Sequence, residues 1–290
     1  MKYNNTNDFL VEKKLKDEAP DLHIRMKDST IVLQNMLDSF LSWFPDFTDH
    51  SLLHSLDVLD YSNRLLGENV KQLNVLECYV LAMSCYLHDI GMGISRKELD
   101  SFKKKLYLSS YFQTHPNADD TRIIRDFHNE LSSLLIYKYS ALFDIPSDDL
   151  VFAIAQVSKG HRKTDLYDKS EYPDLQTNGG VVRTAFLAAV LRLADEIDVG
   201  ADRNPELLFD LTRLKEQADI DAFGTHESIK TVEVYKNAII LRTKPKEPRY
   251  AQLIINLTEK IQNTLDYCRD VSQQRSNLSI TQKKVIIQEI

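Results

Sequence analysis

Residues 75–92 read VLECYVLAMSCYLHDIGM, and the reading of this run decides the fold. The apolar stretch Val75–Leu87 predicts a helix that stops at the His88-Asp89-Ile90-Gly91 turn. Cys78 and Cys85 lie seven apart on one face of it, which is core packing. Two ionisable residues directly at the end of a core-facing helix are costly unless they are paired or coordinated. A metal ion would supply the missing charge and partners.

Working outward, the same problem recurs along the chain. Ile24–Trp43 predicts an amphipathic helix interrupted by Pro45, and the next runs from a cap at Thr48 or Asp49 to about Leu66, before Gly67. That second helix carries His54, bracketed by Leu56 and Leu59. Helices are also expected at Thr121–Phe143, carrying His128, and at Asp148–Val157, followed by His161. A strongly apolar helix at Val181–Ile197, with Asp195 near its end, is expected to be central. Each residue alone has an ordinary explanation as a satisfied core or helix-end group. Asp195 alone could pair with Arg192, one turn earlier. The ordered series of four histidines and two aspartates in apolar helices is what points to a metal centre.

The rest of the chain frames that series. Residues 1–45 read as a helical lead-in, and residues 46–214 as the main domain, which carries the series. The domain carries a polar insertion at 95–120, partly helical, in which Lys103-Lys104-Lys105 is a solvated face. It also carries a long polar loop at 158–180, read as a lid. Residues 215–290 hold a β-hairpin, Thr231–Tyr235 with Ala238–Arg242, then a helix over about Arg249–Cys268 and helical flanks. The terminal run ValIleIleGlnGluIle also reads as helical, and a downstream domain could follow it. The fold class expected is therefore mainly α, a helical bundle with a small C-terminal β-hairpin.

Composition bounds the function. The 290 residues are 43% hydrophobic and carry a net charge of −7, so no global positive field gathers nucleic acid. Three cysteines without a C-x-x-C pair suggest a reducing cytosol, and the N-terminus shows no signal-peptide pattern. With no apolar run of about 20 residues to span a membrane, the expectation is a soluble, cytoplasmic protein.

The motifs HisSerLeuAspValLeu at 54–59, LeuHisAspIleGlyMet at 87–92 and ArgAspPheHisAsnGluLeuSer at 125–132 resemble the HD superfamily of phosphohydrolases. SerLysGlyHisArg at 158–162 and LeuArgLeuAlaAspGluIleAsp at 191–198 extend the likeness. The variant looks most like HD domains of bacterial conflict-system proteins. Cyclic-dinucleotide phosphodiesterases of the HD-GYP type are more distant, because Met92 stands where they have lysine. The resemblance implies an HD-type bundle in which His54, His88, Asp89 and Asp195 hold a first metal. His128 and His161 would complete a second, with Asp89 bridging. The mixed imidazole and carboxylate set suits divalent transition ions (Mn, Fe, Co, Ni or Zn); two of them would activate water and clamp phosphate oxygens, and a single ion in the four-ligand site would serve the same reaction.

Several neighbours are candidates for roles around that centre. Asp89 is a catalytic candidate as the bridging ligand. His50, one turn before His54, is a second, as proton donor to a leaving oxygen. Arg125, Arg162, Lys163, Arg192 and Arg203 are candidates to bind substrate phosphate. Asp57 could orient an imidazole, and Glu130 and Asp198 are weaker acid/base candidates, most such residues facing solvent. The expected activity is hydrolysis of a phosphoester or phosphoanhydride bond in a nucleotide. The alternatives are an HD-type nuclease on single-stranded nucleic acid, disfavoured by the acidic balance, and a nucleotide-sensing module without turnover. The C-terminal elements could mediate homo-oligomerisation.

Overall fold

The computed structural model describes residues 9–37, 52–106, 108–201 and 217–290. His50, Arg203, the cap at Thr48 or Asp49, and both expected domain boundaries lie outside the described residues. Among the described residues the fold is mainly α, with a small sheet near the C-terminus.

Helix α4 (Val75–Leu87) is the axis of the fold. Asn74 accepts from the Glu77 amide at 3.0 Å and Glu77 accepts from the Asn74 amide at 3.1 Å, a reciprocal cap that sets the helix start. Every residue from Glu77 to Leu87 is buried. Each fully buried large apolar side chain there contributes about 1.5–3 kcal/mol. Around it pack α1 (Leu10–Glu18), α2 (Pro20–Leu37), α3 (Leu52–Leu66), α8 (Asp148–Lys159) and α9 (Thr184–Glu196). α1 precedes α2, which begins at Pro20, at a first-turn position where a missing N–H costs nothing.

The segment expected as an insertion contains α5 (Arg96–Phe102) and α6 (Leu108–Thr114). α7 (Asp120–Tyr139) then starts behind Asp119, whose side chain accepts from the Arg122 amide at 2.8 Å. α7 packs on α8 and on the turn after α4. Gly91 makes that second contact possible. A Cβ there would lie 2.4 Å from the His128 carbonyl oxygen, while the Gly91 amide donates to Ser132 Oγ at 2.9 Å. The turn bearing His88 and Asp89 is thus seated directly against the helix bearing His128.

Two expectations are corrected here. Residues 181–183 do not open α9. They form strand β2 (Gly180–Arg183), antiparallel to β1 (Asp174–Thr177), because Gly180 at φ 118° turns the chain back on itself. The polar stretch 158–180 is accordingly partly strand, and Leu166 and Tyr172 within it are fully buried. Arg275 holds it by donating to the Leu166 and Tyr167 carbonyls at 2.9 and 3.1 Å.

The second correction concerns the chain end. After α10 (Gln217–Ser228), β3 (Ile229–Val234) and β4 (Ala238–Thr243) form the expected hairpin. The terminal ValIleIleGlnGluIle run is not helical; residues 284–289 form β5 (Lys284–Glu289), parallel to β4 from Ala238↔Lys284 to Thr243↔Glu289. A short β-branched run is ambiguous in period, and an open strand edge settles it as strand. A parallel pair needs a long crossover, supplied by α11 (Pro248–Arg275), which packs along α9 with Ile254, Ile261, Leu265 and Cys268 buried.

Candidate metal centre

Five elements bring the six ligand-type residues together. His54 sits in the first turn of α3, His88 and Asp89 at the end of α4, and His128 in the middle of α7. His161 follows α8, and Asp195 closes α9. Gly160 lets the end of α8 meet α9; a Cβ there would lie 2.6 Å from that of Ala188.

The residues form two adjoining groups, His54 with His88 and Asp195, and Asp89 with His128 and His161. In the first, His54 Nε2 lies 3.2 Å from His88 Nε2 and 3.3 Å from Asp195 Oδ1. In the second, His128 Nε2 lies 2.9 Å from His161 Nε2. Asp89 joins them. Its Oδ2 is 3.5 Å from both His54 and His88 Nε2, and its Oδ1 is 3.4 Å from His128 Nε2 and 3.6 Å from His161 Nε2. Asp89 thus presents one oxygen to each group.

What stands behind the rings decides their tautomers. Nδ1 of His88, His128 and His161 each lies against the backbone carbonyl three residues back, at 2.9 Å to Cys85, 2.9 Å to Arg125 and 2.7 Å to Ser158. Nδ1 of His54 faces Asp198 Oδ2 at 2.6 Å. Carbonyl and carboxylate oxygens only accept, so each Nδ1 carries a proton, and in the neutral ring each Nε2 presents a lone pair. In that form four lone pairs and two carboxylates converge in a largely buried space, an arrangement that a cation between them would stabilise. With bonds of about 2.0–2.1 Å, donor atoms around one ion stand roughly 2.9–3.4 Å apart, which the closest separations match. The donor set fits divalent metal.

Burial pushes Asp195 upward, but hydrogen bonds from His54 and His88, whose Nε2 then carries the proton that metal would replace, more than offset this and hold it well below the usual carboxylate range. Burial, reinforced by His88 and His128, drives His161 well below its ordinary value, so the ring stays neutral. Neutral imidazole and charged carboxylate are the forms that bind metal.

Asp89, His128, His161 and Asp195 line a cavity of about 530 Å³. Arg162 and Lys163 line it as well, and Arg162 Nη1 also reaches the Arg125 carbonyl at 3.4 Å. Lys163, at φ 55°, lies 3.5 Å from Asp126 Oδ1. Arg192 borders the cavity too, but its Nε donates to the Gly160 carbonyl at 2.8 Å and its Nη2 to the Thr164 carbonyl at 2.9 Å. Its guanidinium braces the segment carrying His161. Arg125 has an exposed side chain and is not among the cavity-lining residues. Asp57 is buried on α3, and Glu130 pairs with Lys159 at 3.0 Å. Asp198, expected to face solvent, is 1% exposed and orients His54. Its spacing three residues after Asp195 was the available signal.

Other lining residues had no signal in the sequence. Glu196, Val199, His226, Leu257, Lys260 and Thr264 also line the cavity, the last three from α11, which closes one side of it. A second groove of about 870 Å³ lies between the β1–β2 hairpin and the end of α11. Its arginines are engaged, Arg183 with Glu77 and Arg275 with backbone carbonyls.

Among the described residues no helix is long and apolar enough to cross a membrane. No curated protein and no solved structure matches the chain. A family model described as HD-CE matches residues 44–276, a span containing all six ligand-type residues. The chain therefore belongs to the HD-CE family, an HD-type domain whose buried histidines and aspartates could hold metal.

Proposed function

We propose that this protein is a metal-dependent phosphohydrolase that cleaves a phosphoester or phosphoanhydride bond of a nucleotide, with two divalent transition ions in the centre. The observation that carries the reading is the Asp89 carboxylate, with one oxygen toward His54 and His88 and the other toward His128 and His161. When bound, such ions supply Lewis acidity to phosphate oxygens and lower the pKa of a bound water. The chain's own residues do the remaining work. The Nδ1 contacts lock each imidazole so that its lone pair points inward, and Asp198 raises the basicity of His54. Arg162 and Lys163 at the cavity wall neutralise phosphate charge, and Arg192 holds the segment they extend from. His50 and Arg203 keep their proposed roles as proton donor and phosphate contact. The motif likeness to conflict-system HD domains supports a nucleotide substrate and a role in such a system.

The test is a nucleotide screen of the manganese-loaded protein, read by phosphate release and chromatography. Wild type should turn over at least one nucleotide. Asp89→Ala should lower turnover by about three orders of magnitude or more and lose bound metal, with the helical circular-dichroism signal retained. Unchanged turnover in Asp89→Ala would remove the assigned centre, and cleavage of single-stranded DNA alone would favour the nuclease alternative.

A further inference from the structure

Helix α11 has two working faces. Ile254, Ile261 and Leu265 are buried in the core, while Leu257, Lys260 and Thr264, spaced three and four apart, line the metal cavity. Lys260 reaches across to α9, where its Nζ meets Glu196 at 2.7 Å, with the lysine side chain 68% exposed. Arg162 and Lys163 line the same cavity from the segment after α8. Beyond the metal ligands and the braced Arg192, the wall thus offers three cations against two nearby carboxylates, Glu196 beside Lys260 and Asp126 beside Lys163, in a protein of net charge −7.

That local excess lies outside the ligand set, where the scissile phosphate cannot use all of it. The lysine end of this pair is exposed while Glu196 is largely buried, and the mobile ammonium on its flexible stem can turn to an arriving phosphate. A cavity of this size holds a nucleotide-sized ligand.

We propose that Lys260, with Arg162 and Lys163, forms a subsite for a second phosphate group, so that the substrate is a nucleoside di- or triphosphate rather than a monophosphate or cyclic nucleotide. This rests on reading the centre as a phosphate site. Here α11 is part of the substrate-binding wall.

Calorimetric titration of the manganese-loaded protein with inorganic tripolyphosphate and with orthophosphate tests the subsite without requiring turnover. Wild type should bind tripolyphosphate at least about tenfold more tightly than orthophosphate. Lys260→Ala should weaken tripolyphosphate by about tenfold and orthophosphate by less than about twofold, with metal content retained, and Lys260→Arg should restore most of the affinity. Lys71→Ala, which removes a surface cation away from the cavity lining, should change neither. Equal affinity for the two anions overturns the proposal, as does a Lys260→Ala affinity for tripolyphosphate equal to wild type or an equal loss in Lys71→Ala. Absence of nucleotide turnover in wild type would instead sink the hydrolase reading, and the titrations would still decide the subsite.

Discussion

Asp198 shows how much one buried carboxylate controls. It is 1% exposed and lies 2.6 Å from His54 Nδ1, so it fixes both the ring orientation and the position of its proton. Removing such a partner behind a metal-binding histidine commonly costs about 10–100-fold in metal affinity or activity. Asp198→Ala should therefore weaken metal retention by about that factor, measured by competition with a chelator. It should also lower stability by about 1–3 kcal/mol in urea denaturation, because a buried N–H loses its acceptor. Asp198→Asn can still accept from Nδ1–H through its amide oxygen and should fall between the two. A chelator profile of Asp198→Ala equal to wild type would show that His54 is held by packing alone.

At the scale of elements, α9 ties the two ligand groups together. Asp195 belongs to the first group, and Arg192, one turn earlier, donates to the backbone of Gly160 and Thr164 on either side of His161 in the second. The same guanidinium stacks over Tyr267 of α11, 5.1 Å from its ring centroid. Arg192→Ala should cost about 2–3 kcal/mol, since charge-assisted bonds to part-buried carbonyls are lost together. It should also loosen metal at the Asp89, His128 and His161 group more than at the His54, His88 and Asp195 group. Arg192→Lys cannot reproduce the forked contact and should recover little. Metal titration followed by the two binding steps reads this directly, and equal weakening of both steps would refute the selective role.

For the whole molecule, the His161 and Asp195 shifts contribute to the pH response of the metal-free protein. In the unfolded chain His161 takes up a proton near its ordinary value of 6.5, whereas burial keeps the folded ring neutral well below that. Over that window the unfolded form binds more protons, so stability falls as pH falls. Asp195 acts in the same direction lower down. Its folded carboxylate stays charged below 3.8, so its stabilisation is present above that pH and is lost as pH drops through the folded value. The melting temperature of metal-stripped protein should therefore drop by a few degrees between about pH 7.5 and about pH 5.5, with a further loss below about pH 4. A flat melting temperature across the upper window would contradict a neutral, buried His161.

Local pattern made the ligand set legible. Histidines and aspartates inside apolar helices stand out because burying them costs free energy, and helix periodicity placed His54, His88, Asp89, His128, His161 and Asp195 on the elements that carry them. The mainly α fold and the Thr231–Arg242 hairpin followed from the same local rules. What local pattern could not hold was any relation that depends on distant segments meeting. The split of Asp89's two oxygens between groups needs the approach of α7 to the α4 turn that Gly91 permits. The strand character of residues 284–289 needs the edge of β4, because a short β-branched run has no decisive period of its own. Lys260 and Thr264 read as an ordinary polar helix face until α11 lies along α9 and turns that face into the cavity. Residue chemistry determined which groups could hold metal, and tertiary contact decided how they are arranged around one another and what else lines the cavity.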